Sequence, residues 1–149
     1  MNLEYMDIAF KEAEKAYKRG EVPIGAVIVK NGKIIAKACN SKEKKHCSIE
    51  HAEILAIKKA SKKLKNWRLD DCDIYVTLEP CPMCASAIKQ SRIKNVYSAL
   101  KNSDSNNLDI INRIFAADKV NPCVNFVNNL SVEKSTTLLQ KFFSCRRKK

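Results

Sequence analysis

The chain has 149 residues, with 28 Lys and Arg against 16 Asp and Glu, which gives a formal net charge of +12. This length allows one compact domain over residues 1–149 and leaves no room for a second domain of ordinary size, while 45% hydrophobic residues are enough for a core. The excess of positive charge favours partners that carry phosphate. A general compositional bias toward Lys over Arg, unrelated to any partner, explains the charge nearly as well.

The first half of the chain shows one helical pattern, a hairpin and a second helical pattern. Apolar residues at helical spacing predict the first helix, which ends near Gly20. Asn31-Gly32 lies between two β-rich runs and is typical of a tight hairpin, because both turn positions need positive φ. The predicted elements are a helix over 3–18, strands over 24–29 and 34–36, a loop over 40–50 and a helix over 51–64.

The second half alternates strand and helix patterns. Pro82 suits the first turn of a helix, where a missing N–H costs little, and Ser131 is a typical N-cap. This alternation predicts a layered α/β domain. The predicted elements are strands over 73–78, 93–100 and 123–127, helices over 82–91 and 108–117 and from Ser131 onward, and a polar loop over 101–107.

The sequence gives no signal for export or membrane insertion. No run reaches the ~20 apolar residues that span a bilayer. The amphipathic N-terminus lacks the apolar centre and the small-residue cleavage site of a signal peptide. Seven cysteines, an odd number, argue against a disulfide framework and for reduced thiols. We therefore expect a cytoplasmic protein with no membrane partner.

Two short segments carry metal-binding chemistry. His51-Ala52-Glu53 opens one predicted helix, and Pro80-Cys81-Pro82-Met83-Cys84 opens another. Zinc takes His nitrogen and Cys thiolate in a tetrahedral shell, and the N-terminus of a helix favours the thiolate form. The spacing predicts one zinc ion held by His51, Cys81 and Cys84.

The number of ligands distinguishes a catalytic zinc site from a structural one. Structural sites usually have four protein ligands, whereas catalytic sites have three and an open position for water. Zinc lowers the pKa of a bound water to roughly 7, and a hydrolytic enzyme then needs a group that moves protons. Glu53, two residues after His51, is the predicted catalytic residue. Since residues i and i+2 do not share a helix face, we expect it beside the water and not as a fourth ligand.

Other interpretations of the same residues are open. The Cys-x-x-Cys pair alone fits a redox pair or a structural zinc knuckle, and a lone His51 is most often an ordinary helix residue. Cys47 or Cys72 could complete a four-ligand site. The two segments together are much less expected by chance than either alone, which favours the catalytic interpretation.

The two zinc segments match the zinc deaminase signature H-x-E…P-C-x-x-C. Together with their flanking residues, they resemble the bacterial tRNA-specific adenosine deaminases of the zinc-dependent cytidine/deoxycytidylate deaminase superfamily. The resemblance runs from about residue 5 to residue 100 and returns at the C-terminus. The matching segments are Val22–Ala26, Asn40, His51–Ala56, Thr77–Cys84, Ser91–Ile93 and Phe142–Arg147.

This resemblance implies a three-layer α/β/α cytidine-deaminase-like fold with a mixed five-stranded sheet. It implies a homodimer that converts adenosine to inosine at the wobble position of a tRNA anticodon loop. In that reaction Glu53 would exchange protons with the water, with N1 of adenine and with the leaving amine. Asn40 would hydrogen-bond the base, although Asn is also common in turns after strands. Phe142 and Phe143 could equally be core residues. The expected substrate-binding residues are Asn40, Ala52, Pro80, Phe142, Phe143 and Arg146.

Two departures from the family pattern lie in loops expected near the substrate. Cys47-Ser48 stands where the family often has Asp-Pro, and the 101–107 loop lacks the usual Lys-Thr-Gly segment. Two alternatives to a tRNA deaminase remain: a deaminase of a free base or nucleoside, of guanine or cytosine type, and a non-enzymatic RNA-binding module with structural zinc. The basic surface and the Phe-Phe-x-x-Arg-Arg ending favour the tRNA enzyme.

Overall fold

The structure is a computed structural model that describes residues 1–130 together with residues 137, 140 and 141. Residues 137, 140 and 141 are helical, and the rest of the helix predicted from Ser131, with Phe142, Phe143 and Arg146, lies outside this described part. Every element predicted before residue 128 is present, with ends that differ by a few residues. The helices are α1 (Leu3–Lys18), α2 (Ala52–Leu64), α3 (Pro82–Gln90) and α4 (Asn107–Phe115), and the strands are β1 (Gly25–Lys30), β2 (Lys33–Cys39), β3 (Cys72–Leu78), β4 (Asn95–Leu100) and β5 (Asn125–Val127).

The five strands form one mixed sheet in the order β2-β1-β3-β4-β5. Strand β1 runs antiparallel to both β2 and β3, whereas β3, β4 and β5 are parallel to one another. Consequently the carboxyl ends of β2, β3 and β4 meet at the edge of the sheet where β1 begins. The expected mixed five-stranded sheet is confirmed.

Helices cover both faces of the sheet, which makes the three layers that the family resemblance implies. On one face α1 packs Met6, Ala9 and Phe10 against Val27 and Tyr75. On the other face α2, α3 and α4 pack around a larger core that includes Ala56, Ile88, Ile111 and Phe115. Each face therefore buries its own apolar cluster, and the sheet separates the two.

Close contact between α1 and the sheet depends on Gly25, the first residue of β1. A Cβ atom at this position would lie 2.0 Å from the carbonyl oxygen of Ala9 and 2.7 Å from the backbone nitrogen of Ala13. The Gly25 N–H donates to Thr77 Oγ1 at 3.1 Å, which ties the start of β1 to β3. The missing side chain thus lets a helix backbone rest directly on a strand.

The β1–β2 hairpin turns as its sequence predicts. Asn31 has φ of 50° and Gly32 has φ of 75°, so both turn positions have positive φ. An irregularity between Ile28 and Val29 shifts the pairing register, a feature for which the sequence carries no signal. Within the described residues, no helix is long and apolar enough to cross a membrane.

Candidate metal centre and active site

The two predicted zinc segments meet at the edge of the sheet where β2 and β3 end. The chain leaves β2 at Cys39, forms the 40–50 loop and reaches His51 just before α2. It leaves β3 at Leu78 and reaches Cys81 just before α3. Both helices begin at this edge, so their N-terminal N–H groups and their positive dipole ends lie beside the metal ligands.

His51 is the N-cap residue of α2, with extended backbone angles of φ −74° and ψ 153°. The prediction that the helix includes His51 is wrong by one residue, since His51 lies before the first turn. The argument that His51 and Glu53 lie on different faces of one helix is therefore wrong as well. Its imidazole caps no helix N–H. Asn40 supplies the cap instead, because its Oδ1 accepts from the Ala52 N–H at 2.9 Å. His51 is thereby free to face the two sulfurs.

Cys81 occupies the equivalent place on α3, as its N-cap residue with φ −74° and ψ 168°. Pro82 follows at the first helical position, where a missing N–H costs little. Cys84 lies one turn further and is fully buried. The Cys-x-x-Cys spacing therefore places both sulfurs at the start of a single helix.

The three candidate ligand atoms converge on one point. His51 Nδ1 lies 3.8 Å from Cys81 Sγ and 3.5 Å from Cys84 Sγ, and all three atoms lie within 4.8 Å of one another. Tetrahedral zinc, with Zn–S of about 2.3 Å and Zn–N of about 2.05 Å, would separate such N and S atoms by roughly 3.6 Å. The donor set and its spacing therefore fit zinc.

Neither cysteine suggested as a fourth ligand belongs to this group. Cys72 begins β3, and Cys81 follows the other end of that strand, so the seven residues of β3 hold them roughly 20 Å apart. Cys47 lies in the 40–50 loop and is absent from the cluster found among the described residues. The described part of the chain thus offers three protein ligands, the number typical of a catalytic site.

Glu53 lies in the first turn of α2 and is only 4% exposed. Its carboxyl group lies close enough to the Cys84 thiol for each group to shift the pKa of the other. It is therefore adjacent to the three-atom cluster without being part of it. This is the placement expected of a group that serves a water beside the metal.

Comparison with known proteins agrees with this geometry. The family model for MafB19-like deaminases matches residues 1–147. The tRNA-specific adenosine deaminase of Bacillus subtilis (strain 168) is 43% identical over 145 residues, which are 97% of this chain and 90% of that protein. The chain belongs to the tRNA-specific adenosine deaminase family. The expectation that it is a hydrolytic deaminase is confirmed, and a non-enzymatic RNA-binding module is not favoured.

Solved structures agree with the sequence comparison. One, from a study of A-to-I editing by tRNA:A34 deaminases at the wobble position of transfer RNA, is 35% identical and superposes with a TM-score of 0.85. The alignment covers 93% of this chain and 100% of that one. A guanine deaminase from Bacillus subtilis is 32% identical, with a TM-score of 0.67 over 97% of this chain and 95% of its own. The deaminase fold expected from the sequence is confirmed.

The environment of this deaminase site shifts the pKa values of its side chains in ways that suit metal binding and proton transfer. A hydrogen bond donated by the Cys84 thiol lowers the pKa of Cys81 to about 4 and raises the pKa of Cys84 itself. Burial raises the pKa of Glu53, because a desolvated carboxylate loses its hydration. A raised pKa favours the protonated carboxyl group, which is the form that can donate a proton.

The predicted substrate residues differ in how the structure places them. Asn40 is buried, and its Oδ1 accepts a hydrogen bond from the Ala52 N–H. Its Nδ2 amino group is the part of the side chain that can donate to a base. Ala52 and Pro80 are both fully buried beside the ligands. Contact of these residues with substrate stays a prediction, as does that of Phe142, Phe143 and Arg146.

One feature of the site was missed by sequence reasoning. Glu79, between β3 and Cys81, is 2% exposed and accepts hydrogen bonds from Asn107 and Asn128. A carboxylate placed between a strand and a metal-binding turn is a possible signal. Its two partners, however, belong to no motif, and 28 and 49 residues separate them from Glu79.

Proposed function

We propose that this chain is a zinc-dependent tRNA adenosine deaminase that converts adenosine to inosine at the wobble position of an anticodon loop. The observation that carries the proposal is the convergence of His51, Cys81 and Cys84, with buried Glu53 against Cys84. The high identity to tRNA-specific adenosine deaminases along nearly the whole chain supports the choice of substrate.

In the proposed reaction, water replaces the C6 amino group of adenine and ammonia leaves. Zinc held by His51, Cys81 and Cys84 would lower the pKa of a water to roughly 7 and so supply hydroxide at neutral pH. Glu53 accepts the proton of that water and delivers it to N1 of the ring, which makes C6 more electrophilic. Glu53 then takes the second proton from the oxygen now bonded to C6 and delivers it to the amino group, which leaves as ammonia, so both hydrogens of the water are accounted for.

Asn40 would orient the base for this attack. Its side chain is fixed at one end by the Ala52 N–H, and its backbone N–H donates to the carbonyl oxygen of Ile24 at 3.1 Å. A side chain held at both points can present its Nδ2 amino group without losing rotamer freedom when substrate binds. We propose that this amino group donates to an acceptor on the flipped-out adenine, as a readout of its edge.

The loop between Asn40 and His51 provides a basic rim for RNA. Lys42, Lys44 and Lys45 are all exposed there. Glu21 holds the loop in place, because its two carboxylate oxygens accept from the Glu43 and Lys44 N–H groups at 3.0 and 2.9 Å. Lysines on a fixed loop beside the site can bind backbone phosphates of an anticodon loop, whose bases are already unpaired and cheap to flip.

The test is a direct comparison of substrates. Purified zinc-loaded protein is incubated with an anticodon stem-loop that carries a wobble adenosine, and separately with adenosine, cytidine, guanine and cytosine. We expect inosine in the RNA and no turnover of the free compounds, with Glu53→Gln as the inactive control. Turnover of a free compound alone would refute the tRNA assignment in favour of the free-base alternative.

We further propose that the protein is a homodimer of single-domain subunits, residues 1–149, and acts in the cytoplasm. Exposed apolar side chains support self-association: Met83 on α3 and Ile110 on α4 are 36% and 42% exposed, on two helices that pack together. Light scattering during gel filtration tests the dimer, and a monomer at all micromolar concentrations would refute it. Limited proteolysis tests the single domain, and fractionation of cells tests the compartment.

A further inference from the structure

A buried hydrogen-bond network lies directly behind the turn that carries Cys81. At its centre is Glu79, whose Oε2 accepts from Asn107 Nδ2 at 2.7 Å and whose Oε1 accepts from Asn128 Nδ2 at 2.6 Å. Both oxygens of the carboxylate thus act as acceptors for amide donors. Glu79 and Asn107 are almost completely buried, so the bond between them is shielded from water, whereas the bond from Asn128 is partly buried.

Asn107 connects the carboxylate to the metal-binding turn. Its Nδ2 also donates to the carbonyl oxygen of Pro80 at 3.0 Å, so both hydrogens of one amide are used. That carbonyl belongs to the peptide unit that enters Cys81. Asn107 is also the first residue of α4 and the last residue of the 101–107 segment that departs from the family pattern. One side chain therefore fixes the Cys81 turn relative to that loop.

Asn128 connects the carboxylate to the segment that follows β5. Its Oδ1 accepts from Ser98 Oγ and from the Asn129 N–H, which sets the orientation of its amide and points Nδ2 toward Glu79. The Leu130 N–H donates to the Ser98 carbonyl oxygen at 3.2 Å. The backbone and the side chain of Ser98 therefore hold this segment against β4.

We infer that Glu79, together with Asn107 and Asn128, forms a positioning set that fixes the Cys81 turn and so holds the metal in its catalytic geometry. None of the three touches the reacting atoms. They act through the Pro80 carbonyl on the ligand that follows it. Groups that hold metal ligands in place typically change metal affinity or activity by 10–100-fold when they are replaced. The inference deepens the proposed function and rests on it for its catalytic consequence.

The polarity of the network provides a sharp test. Glu79→Gln keeps the shape but turns one acceptor into a donor, which then faces an amide donor. Asn128→Asp turns the donor into an acceptor, so that the new carboxylate at 128 faces the carboxylate of Glu79. In the double variant the new carboxamide at 79 can donate to the new carboxylate at 128, while Asn107 and Ser98 keep their bonds. We therefore expect each single variant to be impaired and the double variant to recover.

The first measurement is the rate at which zinc passes from the protein to a chromogenic chelator, with no RNA present. We expect Glu79→Gln to release zinc about tenfold faster than the unchanged protein, and the double variant to approach the original rate. The matched control is Asp73→Asn. It makes the same carboxylate-to-carboxamide change at the opposite end of β3 and β4, where Asn95 Nδ2 donates to Asp73 Oδ1 at 2.7 Å, and the carboxamide oxygen can still accept that bond. Its zinc release should not change.

The second measurement is deamination of the anticodon stem-loop, where we expect kcat to fall and KM to stay within about twofold of the original value for Glu79→Gln. The inference would be overturned if Glu79→Gln released zinc at the original rate. It would also be overturned if the double variant released zinc as fast as the faster of the two single variants. If Glu79→Gln does not fold, recovery of a folded zinc protein by the double variant supports it and failure of both to fold overturns it. Because zinc release needs no substrate, this outcome is independent of whether tRNA is the substrate.

Discussion

Replacing Gly25 with Ala should lower the stability of the whole fold, because α1 lies against this residue. The new Cβ would lie 2.0 Å from the Ala9 carbonyl oxygen, whereas real Cβ atoms essentially never approach a neighbour closer than 3.0 Å. The atoms in the way are backbone atoms of α1 and cannot rotate aside. The helix must therefore retreat from the sheet by about 1 Å.

The size of the effect follows from what α1 buries. A gap of 0.5–1 Å forfeits a quarter to a half of each van der Waals contact across the interface, and Met6 and Phe10 make such contacts with Val27 and Tyr75. Insertion of a methyl group into a packed core typically costs about 1–3 kcal/mol. Because backbone forms the obstacle, we expect the upper end, about 3 kcal/mol, and a fall in Tm of about 6–12 °C for a chain of this size.

Urea unfolding followed by circular dichroism measures this loss, and Gly32→Ala is the matched control. No atom lies within 4 Å of a Cβ at Gly32, but φ there is +75°, so only backbone strain is added. We expect the control to lose roughly 1 kcal/mol. Equal losses for the two variants, or a loss below about 1 kcal/mol for Gly25→Ala, would refute the steric argument.

Three further predictions concern the metal site. Glu53→Gln should retain zinc and lose about 10²–10⁴-fold in kcat, whereas Cys84→Ala should lose zinc. Metal analysis and the deamination assay measure the two effects. Loss of zinc in Glu53→Gln, or full zinc binding in Cys84→Ala, would contradict these roles. After zinc is removed by a chelator, Cys81 should be alkylated at nearly the same rate at pH 6 and pH 8, because its pKa of about 4 leaves it a thiolate at both. Cys72, whose pKa is raised by burial to about 11, should stay unmodified. Peptide mass spectrometry measures both rates, and a steep rise in the Cys81 rate between pH 6 and pH 8 would disprove the lowered pKa. Chelation should also lower Tm reversibly, since zinc at about 100 times its Kd adds about 2.7 kcal/mol, and a Tm that zinc does not restore would argue against binding to the folded state.

Local patterns in the sequence predicted the parts of the molecule that depend on neighbouring residues. The Asn31-Gly32 turn is an example, because the requirement for positive φ belongs to those two residues alone. The same holds for the Cys81–Cys84 spacing, which a single helix start determines. These features need no information about distant parts of the chain.

Features that depend on distant residues could not be predicted from the pattern. The identity of the group that caps α2 is one, since the sequence of His51 and its neighbours does not reveal that Asn40 reaches across from the end of β2. The order of the strands is another, because periodicity identifies a strand without saying which neighbour it pairs with. The Glu79 network needs both the strand order and the placement of α4, so it emerges only from the folded chain.

The ligands of the metal cluster and the two loops expected near the substrate occupy separate stretches of the backbone. His51 and Cys81 are the N-cap residues of α2 and α3, two helices that pack on the sheet. The 40–50 loop connects β2 to α2, and the 101–107 segment connects β4 to α4. Insertions, deletions and changes of charge in those loops, away from Asn40 and Asn107, can therefore alter which base is admitted while the chemistry stays intact. A fold divided in this way can diversify its substrates during evolution without rebuilding its reaction centre.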